Sequence, residues 1–426
     1  MPTVVVVGGG IAGHEAAWAA KRQQPRAKVV ILQDEAHPLY SACVLAEYVS
    51  GGLPRERVFL MRPEDYARAD IEFYPQSPVL GWDPRRRWLA VPHGDQSYDA
   101  LVLATGSIPL VPAIPGADLR GVQSLKCMAD ADSLVSVPPS RAVVVGAGPV
   151  GIECALGLRA RGWEVHLVEL MPRVLPRLLD APLASMVEAM LEERGIEVLT
   201  GERVLALEGR GRVEAVRTES TCIEADRVVL VLGMRPQVGV AREGGVGLGS
   251  SGGIQVDAGM NTSMEGVWAC GDCVESRDLI TGRVGLHMLW GNAVQQGRTA
   301  GANAAGGKRV FPGALNVTTV CIGERAVASI GFIEADLRGQ DASLLVRKDA
   351  MGNAMGLVLL EGKIVGAQAV GALRRIGGLL RILLQGGQID DLAAGPAGVR
   401  PGGLGGRLWP LRGLERALGE GPFSAG

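Results

Sequence analysis

The chain has 426 residues, 47% of them hydrophobic and 21% charged, which is too long for one ordinary domain and too apolar for a disordered chain. A net charge of −2 offers no basic surplus for nucleic acid or an anionic membrane surface. No apolar run reaches the ~18 residues a membrane helix needs, and seven scattered cysteines do not make a secreted disulfide framework.

Apolar Val4–Val7 begins close to Met1 with no basic stretch before it, so no signal peptide is read and a cytoplasmic location is expected. This strand runs into Gly8-Gly9-Gly10-Ile11-Ala12-Gly13, an Ala-rich helix start, and a second apolar strand, Lys28–Leu32. The pattern returns 146 − 8 = 138 residues later as Val143-Val144-Val145, then Gly146-Ala147-Gly148-Pro149-Val150-Gly151, then strand Glu164–Val168. Strand, glycine turn, helix, strand is a βαβ unit, which implies a parallel sheet covered by helices. The fold class is therefore α/β with two Rossmann-like units.

The second unit runs to about Gly247, and the Gly/Ser cluster Gly244–Gly253 reads as a crossover. An apolar stretch ending in Trp268-Ala269-Cys270-Gly271-Asp272 follows, then a helix over about Asn292–Ala305. From about Leu315 to Asp391, short strands (Ala326–Ile330, Leu344–Arg347, Leu357–Leu360, Ile364–Val370) precede a helix at Ile376–Leu384, giving a third domain of mixed α+β type. Residues 392–426 are a Gly/Pro-rich tail in which Leu411, Leu414 and Leu418 have helical spacing around Trp409.

The two glycine loops meet a physical specification. The first Gly makes the tight turn, the second lets the backbone approach a pyrophosphate, and the third lets helix pack on strand. The pyrophosphate then faces the free N–H groups and positive end of the helix. An acid about 20 residues on takes the ribose hydroxyls. Asp34 lies 34 − 13 = 21 residues after Gly13, and Glu169 lies 169 − 151 = 18 after Gly151. A carboxylate at 169 repels a 2′-phosphate, so NADH is favoured over NADPH there.

With these loops on the page, the sequence resembles the FAD-dependent pyridine nucleotide-disulfide oxidoreductase family over roughly residues 3–390. Asp99 to Ser107, with Ala104-Thr105-Gly106, resembles the family's strand end where the chain leaves the FAD domain. Leu230 to Pro236, with Gly233, resembles its counterpart after the NAD domain. Gly271-Asp272 resembles the pair whose carboxylate holds the FAD ribityl chain. Leu289-Trp290 to Gly297 resembles the helix whose N-terminus faces the flavin. The resemblance implies a FAD domain at 1–115 plus 249–314, an NAD(P)H domain at 116–248, and an interface domain at 315–391. It implies FAD and NADH as cofactors and a homodimer or a redox complex as the assembly.

Within the family two branches stay open. A second redox cysteine is missing, because Tyr48 stands five residues after Cys43. The segment around Cys43 resembles the single-cysteine branch of coenzyme A-disulfide reductases, NADH oxidases and NADH peroxidases, and also the branch of the nitrite reductase flavin subunit and the ferredoxin and rubredoxin reductases. Ile11 replaces the peroxidase-type His, no tyrosine follows Tyr98, and the Trp290 motif leans to the second branch. The first expectation is thus electron transfer from NADH through flavin to an iron–sulfur carrier protein. The alternative is a small-molecule reductase or oxidase working through Cys43, which a thiolate beside a flavin would permit.

Cys270 and Cys273 form a lone C-x-x-C and are expected to be structural, with no metal site. Cys127, Cys154, Cys222 and Cys321 are also read as structural. His14 is expected to be packed and His287 to serve in a hydrogen bond. Arg85-Arg86-Arg87 reads as a solvated hairpin turn.

Overall fold

A computed structural model describes residues 1–280, 282–371 and 376–386. Trp409, Leu411, Leu414 and Leu418 of the tail lie outside the described residues.

The first sheet is fully parallel, with strand order Val267–Ala269, Ala100–Leu103, Thr3–Val7, Lys28–Leu32, Ile71–Tyr74. Val4, Val5 and Val6 are wholly buried, because both faces of the sheet are covered; this is why the strand reads as a continuous valine run and not as an alternation. One face packs on helix Ile11–Gln23 and helix Trp290–Ala304 through Ala12, Ala16, Ala293 and Ala300. The other packs on Trp82, Leu89 and Tyr98. Full burial of a Val or Leu side chain stabilises by roughly 1.5–3 kcal/mol.

The second sheet repeats the design, with parallel order Ile196–Thr200, Glu164–Glu169, Arg141–Val145, Arg227–Leu230, Val122–Gln123. Ile152, Ala155 and Leu158 of helix Pro149–Ala160 pack on one face of it, and Leu207 and Val216 on the other. The segments Ser107–Pro109 and Met234–Pro236, read separately in the sequence, pair with each other as an antiparallel ribbon.

The third domain is a five-stranded antiparallel sheet, in the order Val317–Ile322, Arg325–Gly331, Lys363–Val370, Ala354–Leu360, Ala342–Lys348. Helix Ile376–Leu384 adds Leu379, Leu380 and Leu383 to its core. Strand Val317–Ile322 exceeds the expected set; Thr318, Thr319 and exposed Cys321 interrupt its apolar pattern.

A buried polar joint ties this domain to the second sheet. Asp180 precedes helix Ala181–Glu192 and accepts from Gln368 Nε2 (2.6 Å) and Glu334 N (2.9 Å), and Asp180 N donates to Gln368 Oε1 (2.7 Å). Arg85–Arg87 form the turn between strands Gly81–Asp83 and Trp88–Val91, as expected, with Arg85 N and Arg86 N donating to Asp83. Among the described residues, no helix is long and apolar enough to cross a membrane.

Candidate functional site

The two glycine loops are near copies in atomic terms. A side-chain carbon on Gly13 would lie 1.9 Å from Gly8 O, and one on Gly151 would lie 1.8 Å from Gly146 O. Gly8 and Gly146 have φ +109 and +105, and side chains there would strike Ala104 O and Val231 O. These four glycines are demanded by the protein's own backbone. Gly10 and Gly148 are not. Both are extended, with φ −67 and −74, and a side chain at either meets no protein atom within 4 Å. It would instead fill the space before a helix N-terminus. Neither helix has an acidic residue in its first turn or a side-chain cap. The free N–H groups of Ile11 and Ala12 in the first helix, and of Val150 in the second, where Pro149 has none to give, face that space as an anion cradle. A pyrophosphate fits both loops on this test.

Glu169 is buried and accepts from Ala147 N (2.7 Å) and Met171 N (2.8 Å). The matching bond in the first loop is Gly9 N to Gln33 Oε1 (2.6 Å). Gln33 therefore takes the position expected for Asp34, which is exposed one residue further on. The reason is register: counted from the strand start, Gln33 and Glu169 are both five residues on from Lys28 and Glu164. Beside Glu169, Leu170 and Met171 are exposed apolar residues. The nearest following cation, Arg173, is committed to Leu179 O (2.9 Å) and Pro176 O (3.2 Å). Arg173 is thus turned to these carbonyls and away from a 2′-phosphate, in keeping with NADH.

The remaining motif residues converge on the first loop. Gly271 N donates to Gln296 Oε1 (2.9 Å), and a side-chain carbon on Gly271 would sit 2.7 Å from Ala12 Cβ. Carbons on Gly297 and Gly301 would strike Ala12 O and Ala16 O at 2.2 and 1.9 Å. Helix Trp290–Ala304 thus lies backbone to backbone on helix Ile11–Gln23, and the Glu15–Arg298 bridge (2.7 Å) fixes the pair. The N-terminus at Trp290 has no side-chain cap and no acid in its first turn. Ala104 and Thr105 follow strand Ala100–Leu103; Thr105 Oγ1 donates to Gln237 O (2.5 Å), Gln237 N to Gly106 O (2.9 Å), and Leu110 N to Gly233 O (2.9 Å). Asp272 accepts from Ser107 Oγ (2.7 Å). Gln33, Gln296 and Ser107 are not among the expected site residues; Ser107 and Gln296 lie within the motif segments Asp99 to Ser107 and Leu289 to Gly297, and Gln33 directly follows strand Lys28–Leu32.

Cys43 sits in the short turn Ala42–Val44 that leads into helix Leu45–Ser50. It is solvent-accessible yet lies in a recess crowded by protein. That crowding pushes its thiol up; Glu153 and Asp272 add to the shift, and Lys126 and a bond to Ser41 oppose it. Asp272 belongs to the first dinucleotide half and Glu153 to the helix after the second loop. Glu153 is itself pushed up to about 7, by burial and then by Glu47. Tyr48, in place of a second cysteine, donates to Asp132 Oδ1 (2.7 Å), and Arg55 binds Oδ2 of the same carboxylate (2.9 Å).

Other candidates resolve as packing. Cys270 and Cys273 are buried, their thiols donating to Ala12 O (3.8 Å) and to Cys270 O (3.3 Å). Among the described residues no cluster of His, Cys, Asp and Glu is arranged to hold a metal. His14 stacks on Trp18 at 4.0 Å, and burial lowers it to about 4. His287 Nδ1 bonds Asn316 Oδ1 (3.0 Å). Cys222 and Cys321 depart from the structural reading in being exposed.

The sequence profile described as Pyridine nucleotide-disulphide oxidoreductase matches residues 2–297. The chain belongs to this family. It is an FAD-dependent oxidoreductase that uses NAD(P)H. An NADH oxidase of Methanocaldococcus jannaschii is 32% identical over 393 residues, covering 87% of this chain and 88% of the relative. A CoA-dependent NAD(P)H sulfur oxidoreductase of Pyrococcus abyssi is 32% identical over 341 residues, covering 78% and 76%. The solved NAD-dependent persulfide reductase from A. fulgidus superposes with a TM-score of 0.87 at 29% identity, covering 92% of this chain and 78% of that one.

Proposed function

We propose that this protein is an NADH-dependent reductase of small sulfur–sulfur substrates (disulfides, persulfides or polysulfides) working through Cys43. The observation that carries the reading is the position of Cys43, accessible to solvent just before helix Leu45–Ser50, whose Leu45, Ala46 and Val49 share one core with Ile152, Ala155 and Leu158 of the helix after the second loop, so that the thiol lies where the two nucleotide-binding halves meet. Its sulfur-reducing relatives support it.

In this reading the Gly8–Gly13 loop, Asp272 and the Trp290 helix hold FAD, and the Gly146–Gly151 loop and Glu169 hold NADH. FAD, when bound, takes two electrons from NADH and supplies them to sulfur. The chain's own part is to orient and to ionise. The loop N–H groups neutralise each pyrophosphate, and Glu169, fixed by Ala147 N and Met171 N, presents its remaining lone pairs to the ribose. Cys43 Sγ, once deprotonated, attacks one sulfur of the substrate; a Cys43–substrate disulfide forms, and the other sulfur leaves as a thiolate and takes a proton. Two electrons then cleave that disulfide and restore the Cys43 thiolate. Glu153, poised near 7, is suited to hold the proton exchanged there.

A second reading, transfer to an iron–sulfur carrier such as a ferredoxin, is favoured by the Leu289-Trp290 motif and the absence of tyrosine after Tyr98. A probable ferredoxin reductase of Castellaniella defragrans is 31% identical over 316 residues. Cys43→Ser decides between them. The sulfur reading expects NADH-dependent polysulfide reduction to fall at least ~100-fold, the loss of a nucleophile, with ferricyanide reduction retained. Full polysulfide or carrier turnover in that variant overturns it.

A further inference from the structure

The sulfur chemistry requires Cys43 as a thiolate, and its surroundings work against that state. Crowding, Glu153 from helix Pro149–Ala160 and Asp272 from the first half all hold the proton on; the Ser41 hydroxyl and one ammonium, that of Lys126, work the other way. Lys126 is anchored at both ends. Its backbone N and that of Cys127 donate to Asp130 Oδ2 (2.7 and 3.2 Å), which fixes the residue just before helix Met128–Val135. Its Nζ donates to Ser107 Oγ (3.3 Å), and Ser107 Oγ donates in turn to Asp272 Oδ2 (2.7 Å). The chain Lys126–Ser107–Asp272 therefore holds a half-buried cation beside that carboxylate, and the Tyr48–Asp132 bond (2.7 Å) holds helix Met128–Val135, which Lys126 precedes, against helix Leu45–Ser50, which Cys43 precedes.

We propose that Lys126 is the positioning residue of this site: its ammonium, tethered through Ser107, screens Asp272 from Cys43 and favours the Cys43 thiolate. This rests on the sulfur reading for its purpose but not for its test. The ammonium offsets part of the carboxylates' effect at the thiol, whereas an uncharged side chain leaves the Ser41 hydroxyl alone against Asp272 and Glu153. A like charge within a few ångströms of a partly desolvated acid disfavours its ionised form.

The test is the pH profile of iodoacetamide alkylation of Cys43 in the oxidised, FAD-loaded protein, read by peptide mass, for wild type, Lys126→Met, Lys126→Arg and Ser107→Ala. Lys126→Met is expected to move the midpoint up and to slow alkylation at neutral pH roughly 10-fold, as the thiolate fraction falls. Lys126→Arg, which keeps the cation, is expected to stay within about 3-fold of wild type by the same relation. Ser107→Ala, which cuts the tether and keeps the charge, is expected to fall between them. It serves in place of Lys126→Met if that variant loses FAD. A Lys126→Met profile that coincides with wild type overturns the proposal, as does an Arg variant as slow as the Met variant. Alkylation needs no turnover, so a Cys43→Ser enzyme that keeps polysulfide activity would sink the sulfur reading and leave this result standing.

Discussion

Substitution of Gly148 by Ala separates a glycine kept for a ligand from one kept for the fold. At Gly148 the backbone is extended (φ −74, ψ −177), which alanine adopts without strain, and the added carbon touches no protein atom within 4 Å. The fold should be indifferent: Gly→Ala at a compatible site changes stability by about +0.4 to +1 kcal/mol through the unfolded chain. The nucleotide should not be. The methyl group stands where a pyrophosphate would approach the first N–H groups of helix Pro149–Ala160, and displacing it weakens one or two charge-assisted hydrogen bonds. Each is worth about 1.5–3 kcal/mol, so KM for NADH should rise roughly 10- to 100-fold, at 1.4 kcal/mol per tenfold. Gly151→Ala is the opposite case, because its carbon would lie 1.8 Å from Gly146 O. That overlap forces the loop to move, at about 1–3 kcal/mol, and should lower the thermal midpoint. Steady-state kinetics and thermal melts of the two FAD-loaded variants read both effects. A Gly148→Ala enzyme with wild-type KM would refute the reading of this loop as the NADH cradle.

Glu169→Ala combined with Leu170→Arg removes the carboxylate that repels a 2′-phosphate and supplies the guanidinium that Arg173 cannot. The NADPH/NADH ratio of kcat/KM should rise by about 10- to 100-fold, the worth of one charge-assisted pair; an unchanged ratio would place the discrimination elsewhere. Glu153→Gln tests the raised carboxyl. Its folded value, about 7, lies above the ordinary 4.5, so its contribution is fully present at low pH and is lost as pH rises through about 7. The Gln variant lacks that loss, and its thermal midpoint relative to wild type should climb between about pH 5 and pH 8. A difference that does not vary with pH would count against the shift.

How much was legible depended on whether local pattern or tertiary contact decided the outcome. Strand Lys28–Leu32 and helix Ile376–Leu384 were read to the residue, because a parallel strand and an amphipathic helix carry their pattern locally. The expected helix over Asn292–Ala305 starts two residues earlier, at Trp290, since the helix is set by Gly297 and Gly301 lying on Ala12 and Ala16, a contact across more than two hundred residues. Counting from the glycines leads to Asp34, whereas the strand end, which aims the side chain, sets Gln33 against Gly9 N. The ribbon between Ser107–Pro109 and Met234–Pro236, and the Lys126–Ser107–Asp272 chain it helps to build, had no signal in the sequence. Their partners lie far apart in the chain, and single polar residues carry no period.

The most direct test of Cys43 as the reacting group is an anaerobic titration of the FAD-loaded protein with NADH, followed by its visible spectrum. A thiolate beside the flavin should give a broad long-wavelength charge-transfer band, present in wild type and absent in Cys43→Ser. Bleaching of the flavin with the same spectra in both proteins would contradict it, and would turn the search to a protein that collects the electrons.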